Sequence, residues 1–217
     1  MKKILITLLT ILTISPAFAG CSKSIDYFTY VSENRKCVYL YKDDIYEIKI
    51  YCSDRETPYV LDGVKGNMTT VTEIYYSCKS SPSEVVCELD GHGGEMSYLA
   101  VDNCFYLSFS GETLQSQSLL VKLTIDGKES ETEVFNVCQS STITPQTAVK
   151  CVYEYDTETF SSLTNKNSFQ GEISVRLIYD EGCYYYVGVC DRQKNINAYL
   201  VDGVNGRIIA ERQSSAE

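Results

Sequence analysis

The chain has 217 residues, ten cysteines and a formal net charge of −10. An acidic surface repels phosphate backbones, so we expect no nucleic acid partner. Roughly 200 residues can form one large β domain or several small units, so length alone does not set the number of domains.

The N-terminus has the layout of a secretory signal peptide. A pair of lysines precedes an apolar run over 4–14, and the small-residue sequence Ala-Phe-Ala follows. The run has about 11 residues, whereas a membrane-spanning helix needs about 20. We therefore predict a bacterial signal peptide over 1–19, cleaved between Ala19 and Gly20, and a mature chain that is periplasmic or extracellular. Removing the two lysines changes the formal charge from −10 to −12.

The same boundary also resembles a lipobox. In that pattern a cysteine after a small residue is lipidated and becomes the new N-terminus, and Cys21 after Gly20 fits it. Phe18 stands where the pattern prefers Leu, Val or Ile, so ordinary cleavage after Ala19 is the favoured hypothesis. Lipidation of Cys21 would make this a lipid-anchored envelope protein, and only then is a membrane an expected partner.

Ten cysteines in an exported chain most economically form five disulfides, because an oxidising compartment lets them persist. A metal site is the competing interpretation, but no two cysteines have the C-x-x-C spacing and His92 is the only histidine. We therefore predict no metal and no cofactor. The favoured pairs are Cys21–Cys37, Cys87–Cys104, Cys151–Cys183, Cys52–Cys78 and Cys138–Cys190. Two pairs at the unit junctions, Cys78–Cys87 and Cys138–Cys151, stay open as alternatives.

A weak threefold internal repeat accompanies these cysteines. Cys21, Cys87 and Cys151 lie about 65 residues apart, and each is followed by a second cysteine that begins a tyrosine-rich strand. The sequence YVLDGVKG in the first third also returns as YLVDGVNG in the last. The repeat predicts three β units, which can pack as one domain: 20–86, 87–150 and 151–217. An insertion rich in Ser, Thr and Asn over 156–167 is expected to be a loop.

The local patterns predict β-strands throughout the mature chain, because apolar and polar residues alternate and no segment shows a sustained helical stripe. Asp102-Asn103 and the segment 180–182 predict hairpin turns, and 200–209 reads as a terminal hairpin. The predicted fold is all-β, with disulfide-stapled antiparallel β-hairpin or β-sandwich-like units. The clearest alternating segments are 46–52, 121–125 and 173–179.

Common catalytic motifs are absent from the sequence. There is no G-x-S-x-G elbow, H-E-x-x-H helix, P-loop or G-x-G-x-x-G turn. His92 lies in a glycine-rich stretch and is expected to be a solvated loop residue. We therefore predict no catalytic residue. A pair of carboxylates of the glycosidase kind stays open among the 29 acids, since spacing along the sequence cannot show its geometry.

Eighteen tyrosines and no tryptophan are the remaining compositional signal. Tyrosine packs well in strands and also lines binding surfaces for glycans and proteins. Tyr184, Tyr185 and Tyr186 must send at least one ring to each face of their sheet, so this run is predicted to contribute to a binding surface.

These observations favour an exported, non-catalytic, disulfide-rich β protein of the bacterial envelope or exterior that binds a protein or glycan. One alternative is a secreted hydrolase that uses a carboxylate pair. Another is an exported inhibitor of proteases or lysozyme, which would present the predicted loop 156–167.

Overall fold

The computed structural model describes residues 25–111, 114, 116–138 and 140–214. The predicted signal peptide, its cleavage site and Cys21 lie outside these residues. The N-terminal elements are a 3₁₀ helix η1 (Tyr27–Tyr30), β1 (Val31–Lys42), β2 (Tyr46–Glu56), β3 (Met68–Cys78), β4 (Val85–Leu89), β5 (His92–Glu95), β6 (Ser97–Leu99), β7 (Cys104–Ser110), β8 (Ser118–Ile125) and β9 (Lys128–Asn136). The C-terminal elements are α1 (Pro145–Tyr155), α2 (Thr157–Ser162), β10 (Thr164–Asn165), β11 (Ser168–Phe169), β12 (Gly171–Tyr179), β13 (Cys183–Asp191), β14 (Ile196–Asp202) and β15 (Ile208–Ser214).

The all-β prediction is confirmed, and thirteen strands form one nearly continuous sheet. Strand β1 is the shared element, since β2 pairs along its whole length on one side. On the other side, its first half pairs in parallel with β12 and its second half pairs antiparallel with β9. One sheet thus divides at β1 into an N-terminal barrel and a C-terminal extension.

The barrel is nearly closed, and its strands follow the order β5, β4, β8, β9, β1, β2, β3, β7 and β6. Closure comes from a break at Met96, since β5 before it pairs with β4 and β6 after it pairs with β7. Met96 itself is buried, and its backbone N–H donates to the carbonyl of Val85 at 2.8 Å. The barrel core contains Ile48, Ile50, Ile74, Val121 and Leu123.

The C-terminal extension contains β12, β13, β14 and β15 in sequential antiparallel order. Its apolar face is covered by η1, α1 and α2, with Val149, Val152 and Phe160 packed against the sheet. The expectation that no helix occurs is therefore wrong for 145–155. A proline in the first turn and the Thr144 side chain, which accepts from the N–H of Thr147, begin this helix.

The segment 156–167 is also not a loop, because it contains α2 and β10. Asp156 caps α2 by accepting from the N–H of Thr159, and Phe160 is fully buried. Phe160 packs among aromatic rings from three other segments, those of Tyr27, Tyr153 and Phe169. The polar composition that predicted a loop belongs to the exposed side of this short helix.

The predicted hairpins are confirmed at β6–β7, β12–β13 and β14–β15. Asp126-Gly127 connects β8 to β9 with positive φ at both residues, which suits a tight hairpin turn. The sheet runs through all three predicted units, so 20–86, 87–150 and 151–217 are joined by strand pairing rather than packed as separate sandwiches. The threefold repeat stays a prediction. None of the described helices is long and apolar enough to cross a membrane.

Candidate functional site

A band of tyrosine and arginine side chains crosses the sheet where the barrel and the C-terminal extension meet. In the barrel strands its members alternate with residues of the barrel core, and in β12 and β13 they alternate with residues of the C-terminal core. Tyr51, opposite Val38, also packs against the edge of the C-terminal core. Neighbouring strands contribute one member each, so the band follows the strand pairing rather than the sequence. Its members in strand order are Tyr186 of β13, Arg176 of β12, Arg35 of β1, Tyr51 of β2, Tyr75 of β3 and Tyr106 of β7, and we call them the tyrosine–arginine band.

Three tyrosines form the barrel half of this band. The ring centroids of Tyr51 and Tyr75 are 5.4 Å apart, and those of Tyr75 and Tyr106 are 5.0 Å apart. Pairs at this separation and tilt attract each other through their ring quadrupoles. All three side chains are half-buried. They therefore form a fixed surface whose ring edges and hydroxyl groups remain partly accessible.

Arg176 anchors the C-terminal half of the band. Its Nε donates to the Glu33 carboxylate at 2.5 Å, its second guanidinium nitrogen donates to the Tyr59 hydroxyl at 2.7 Å, and Tyr59 donates to Glu33 at 2.7 Å. The guanidinium also lies over the ring of Tyr186, 5.5 Å from its centroid. Burial acts to lower the pKa of Arg176, but the charge of Glu33, together with Tyr59 and the hydrogen bonds to both, outweighs burial and raises that pKa. This guanidinium is consequently neutralised and held in one place.

A second ion pair lies at the barrel end of the band. Arg55 donates to the Glu73 carboxylate at 3.0 Å, and the Tyr106 hydroxyl donates to the same oxygen at 3.0 Å. Glu73 is buried. Burial raises the pKa of Tyr106, and the Glu73 charge adds to this effect. Tyr106 therefore keeps its proton and acts as a donor.

Arg35 differs from the other two arginines. Its guanidinium carbon lies 4.0 Å from the centroid of the Tyr51 ring, and its Nε is buried without a hydrogen-bond partner. Among the residues that the structure describes, no carboxylate forms an ion pair with it. Arg35 also lies beside Arg176 in the β1–β12 register. The centre of the band therefore carries a cation with one buried donor, Nε, that has no partner among the described residues.

A buried carboxylate lies beside this band, beneath the segment 57–67. Glu172 of β12 is fully buried, and neither of its oxygens makes a hydrogen bond of normal geometry within the described residues, although the backbone N–H groups of Asp62 and Gly63 lie close to it. Burial raises the pKa of Glu172 to about 7, and the nearby carboxylates of Glu56 and Asp62 act in the same direction, against the lowering effect of those two N–H groups. Glu172 is therefore largely protonated in mildly acidic solution.

The segment 57–67 is held over this carboxylate by contacts at both ends. Glu56 accepts from the N–H of Val60 at 3.3 Å and from the N–H of Gly66 at 2.6 Å. Gly63 has a φ of 81°, and a Cβ at this position would lie 2.5 Å from the backbone of Asp191. Only glycine permits this close approach to the end of β13. The segment thus closes directly onto the sheet.

The predicted tyrosine surface is divided between two faces. Tyr185 is 2% exposed in the C-terminal core and donates to the carbonyl of Ile143 at 2.8 Å. Tyr184 and Tyr186 lie on the other face, half-buried, and Tyr186 belongs to the tyrosine–arginine band. Sequence reasoning missed the other members of the band because they come from strands far apart in the chain. Alternation along β2 predicts that Tyr51 lies on the face of the sheet opposite to its buried neighbours Ile50 and Cys52. This is the one indication of the band that the sequence contains.

The described cysteines are nine free thiols: Cys37, Cys52, Cys78, Cys87, Cys104, Cys138, Cys151, Cys183 and Cys190. Two predicted pairings conflict with the strand register. Thr72 lies opposite Cys52, and Cys78 lies six residues further along β3, about 20 Å away. The pair Cys52–Cys78 is therefore wrong.

The second conflict concerns the pair Cys138–Cys190. The Sγ atom of Cys183 donates to the carbonyl of Val137, which places Cys183 beside Cys138. Cys190 lies seven residues along the same strand from Cys183, about 23 Å away. The pair Cys138–Cys190 is consequently wrong as well.

The histidine and the acidic residues form no second candidate centre among the described residues. His92 is exposed at the start of β5 and stacks on Phe109, with ring centroids 4.9 Å apart. In the part of the chain that the structure describes, no group of three or more His, Cys, Asp or Glu side chains could hold a metal ion. The tyrosine–arginine band and the carboxylates beside it are the polar arrangement from which we argue a function.

In comparisons with protein-family models, curated proteins and solved structures, this chain matches none of them.

Proposed function

We propose that the chain is an exported binding protein that holds a glycan against the tyrosine–arginine band. A sugar ring presents C–H groups on its faces and hydroxyl groups around its edge. Tyrosine offers both an apolar ring and a polar tip, so it can meet both parts of such a ligand. The band places three tyrosines about 5 Å apart and flanks them with guanidinium and carboxylate groups.

Arg35 is the observation that carries this proposal. It is a cation fixed over Tyr51, with a buried Nε that lacks a partner among the described residues. Leaving a buried donor without a hydrogen bond is costly. The Arg35 side chain as a whole is only half-buried, so a small shift of its guanidinium toward a ligand acceptor would satisfy this donor and gain free energy. A sugar hydroxyl or a single sugar carboxylate provides such an acceptor. The net acidic charge of the chain argues against a polyanion such as nucleic acid.

A printed array of neutral and acidic oligosaccharides tests this proposal, followed by titration calorimetry with the best ligand. We expect Arg35→Ala and Tyr51→Ala each to weaken binding about tenfold, equivalent to about 1.4 kcal/mol. Matched controls are Tyr179→Ala, on the opposite face of β12, and Arg207→Ala, in an exposed turn, and we expect neither to change the affinity.

Two results would count against the glycan proposal. The first is an array on which the folded protein binds nothing. The second is binding that Arg35→Ala leaves intact and Tyr179→Ala abolishes, which would place the ligand on the other face. Capture of a specific protein by the band, blocked by Arg35→Ala, would instead favour a protein ligand.

A hydrolase with a carboxylate pair is the second candidate, and Glu172 is the reason to keep it. Glu172 has a pKa raised to about 7, as a general acid requires, and Glu56 is a nearby second carboxylate. Both side chains are at most 3% exposed, so substrate would reach them only after the segment 57–67 lifts. Hydrolysis of aryl glycosides by the native chain, lost in Glu172→Gln, would support this candidate, and absence of hydrolysis would remove it.

A further inference from the structure

The structure brings two pairs of cysteines together, one through strand register and one through a contact beside β13. We propose that oxidation joins Cys37 to Cys52 and Cys138 to Cys183, so that one disulfide crosses the β1–β2 pair inside the barrel and the other ties the segment after β9 to the start of β13. This inference does not depend on the proposed ligand, because it concerns the core of the fold and the contact between its two regions.

Cys37 and Cys52 are directly opposite each other in the antiparallel β1–β2 pair. Opposite residues in such a pair have Cα atoms about 4.5–5.5 Å apart, and disulfides join Cα atoms about 4.4–6.8 Å apart. Both side chains are buried in the barrel core on the same side of the sheet. A bulge between Arg35 and Cys37 alters the local twist next to this pair. The backbone therefore already has the separation that the bond requires.

The two thiols of this first pair also differ in their proton affinity. Their mutual hydrogen bond is the largest effect on both, and it lowers the pKa of Cys52 while raising that of Cys37. Cys52 is thus the sulfur that becomes a thiolate first. The thiolate is the attacking species in disulfide exchange.

A small disulfide such as oxidised glutathione is the oxidant that this reaction needs. Both sulfurs are buried in the nearly closed barrel, so the exchange takes place during folding or local opening, when glutathione can reach them. The Cys52 thiolate then attacks one glutathione sulfur, and the other glutathione leaves as a thiolate. Cys37 then releases its proton to solvent and attacks the Cys52 sulfur of the mixed disulfide, which expels the second glutathione. Two protein thiols and one oxidised glutathione thereby become one protein disulfide and two reduced glutathione molecules.

The second pair lies at the contact between the barrel and the C-terminal extension. The Sγ of Cys183 donates to the carbonyl of Val137 at 3.3 Å, and the Sγ of Cys138 contacts the carbonyl of Lys36 at 4.0 Å. Burial raises the pKa of Cys138 to about 11, with the neighbouring Cys183 thiol adding to that effect. The same exchange chemistry with a second oxidised glutathione joins these two sulfurs. The bond would hold the last barrel strand against β13.

Peptide mapping of the full chain tests both bonds. The reduced protein is unfolded, refolded in a mixture of oxidised and reduced glutathione, alkylated in guanidinium chloride and digested with trypsin without reduction. Trypsin yields two short peptides that each contain one cysteine, 37–42 and 50–55. We expect these to appear as one linked species, two hydrogens lighter than their sum, with loss of both alkylated peptides. The peptide 129–150 should be linked to 177–192, and chymotrypsin then separates Cys183 from Cys190 in the latter.

Several outcomes would overturn the assignment. The first bond is excluded if the peptide 37–42 is linked to the peptide that carries Cys21, or is recovered alkylated from folded, oxidised protein. The second is excluded if 129–150 is linked to Cys190 or Cys151, or is recovered alkylated. In Cys52→Ala we expect 37–42 to become alkylated, while Cys87→Ala, a buried cysteine change elsewhere in the barrel, leaves the linkage intact. Because the native chain is mapped directly, poor folding of either variant does not remove the test.

Discussion

The barrel and the C-terminal extension belong to the same sheet, yet they bury their apolar faces in different ways. The barrel curls until strands cover its interior, and the break at Met96 lets one stretch of chain pair with β4 and then with β7. The extension stays open and is covered by η1, α1 and α2. Consecutive residues of β1 contribute to both cores, since Val38 belongs to the C-terminal core and Tyr39 to the barrel core.

This difference has a consequence for stability. Most barrel strands are held by hydrogen bonds to neighbours on both sides, with β5 and β6 paired on one side, whereas the helices of the extension depend mainly on packing. Short helices are marginal on their own in water and gain their stability from an apolar face. Damage to helix packing should therefore stay more local than damage to a barrel strand.

The largest expected effect comes from Phe160→Ala. Phe160 is fully buried among three other aromatic rings, so truncation should lower the free energy of unfolding by about 3–5 kcal/mol. Hydrogen exchange should show the loss of protection in α1 and α2 before β2 and β3. Unfolding in guanidinium chloride measures the total change in the free energy of unfolding. Phe135→Ala, at a position 54% exposed on β9, serves as the control and should change stability by less than about 0.5 kcal/mol. Equal loss of protection in both regions would contradict the distinction between them.

Glu172, at the junction of the two regions, should make the stability of the fold depend on pH. Its folded pKa of about 7 lies above the ordinary value of 4.5. The native chain therefore binds the proton more tightly than the unfolded chain, so the stabilising contribution is complete below about pH 4.5, declines as the pH rises through 7 and is absent above it.

Glu172→Gln should remove this dependence on pH. At pH 8 the variant should be more stable than the native chain by up to about 3 kcal/mol, and near pH 4.5 the two should agree closely. Urea unfolding across this range measures the difference. Glu133→Gln, an exposed carboxylate on β9, is the matched control and should follow the native curve. A native chain that gains stability from pH 5 to 8 relative to Glu172→Gln would refute the assignment of the buried charge.

The parts of this fold that could be predicted are those that local sequence patterns indicate. The alternation of Ile48 and Ile50 with polar neighbours marks β2, and Asp126-Gly127 marks a hairpin turn. The parallel pairing of β1 with β12 joins residues about 140 positions apart, and no local pattern specifies it. The tyrosine–arginine band depends on that pairing, so its individual members were visible in the sequence but their assembly was not. Helix α1 escaped prediction because only three of its residues are buried, which makes its apolar stripe short.

The smallest predicted loss of stability concerns two aspartates, one in each region, whose side chains accept hydrogen bonds within turns or helix caps. Asp156 accepts from the N–H of Thr159 at 3.0 Å and from the Tyr199 hydroxyl at 2.5 Å, so it ties α2 to β14. Burial acts to raise its pKa, but these hydrogen bonds lower it overall. Asp126 accepts from the N–H and hydroxyl of Ser83 and likewise has a lowered pKa, although it is fully exposed.

We expect Asp156→Ala to cost about 1 kcal/mol, as loss of a helix cap does, and Asp126→Ala to cost less, because the β8–β9 hairpin keeps its strand pairing without that side chain. A lowered folded pKa means that each contribution is present above the ordinary carboxyl pKa of 3.8 and is lost as the pH falls through the lower folded value. Thermal unfolding at pH 7 and pH 3 measures both variants against the native chain. If Asp126→Ala proved the more damaging at pH 7, the barrel would depend on its turns more than on its strand pairs, and the contrast between the two regions would be reversed.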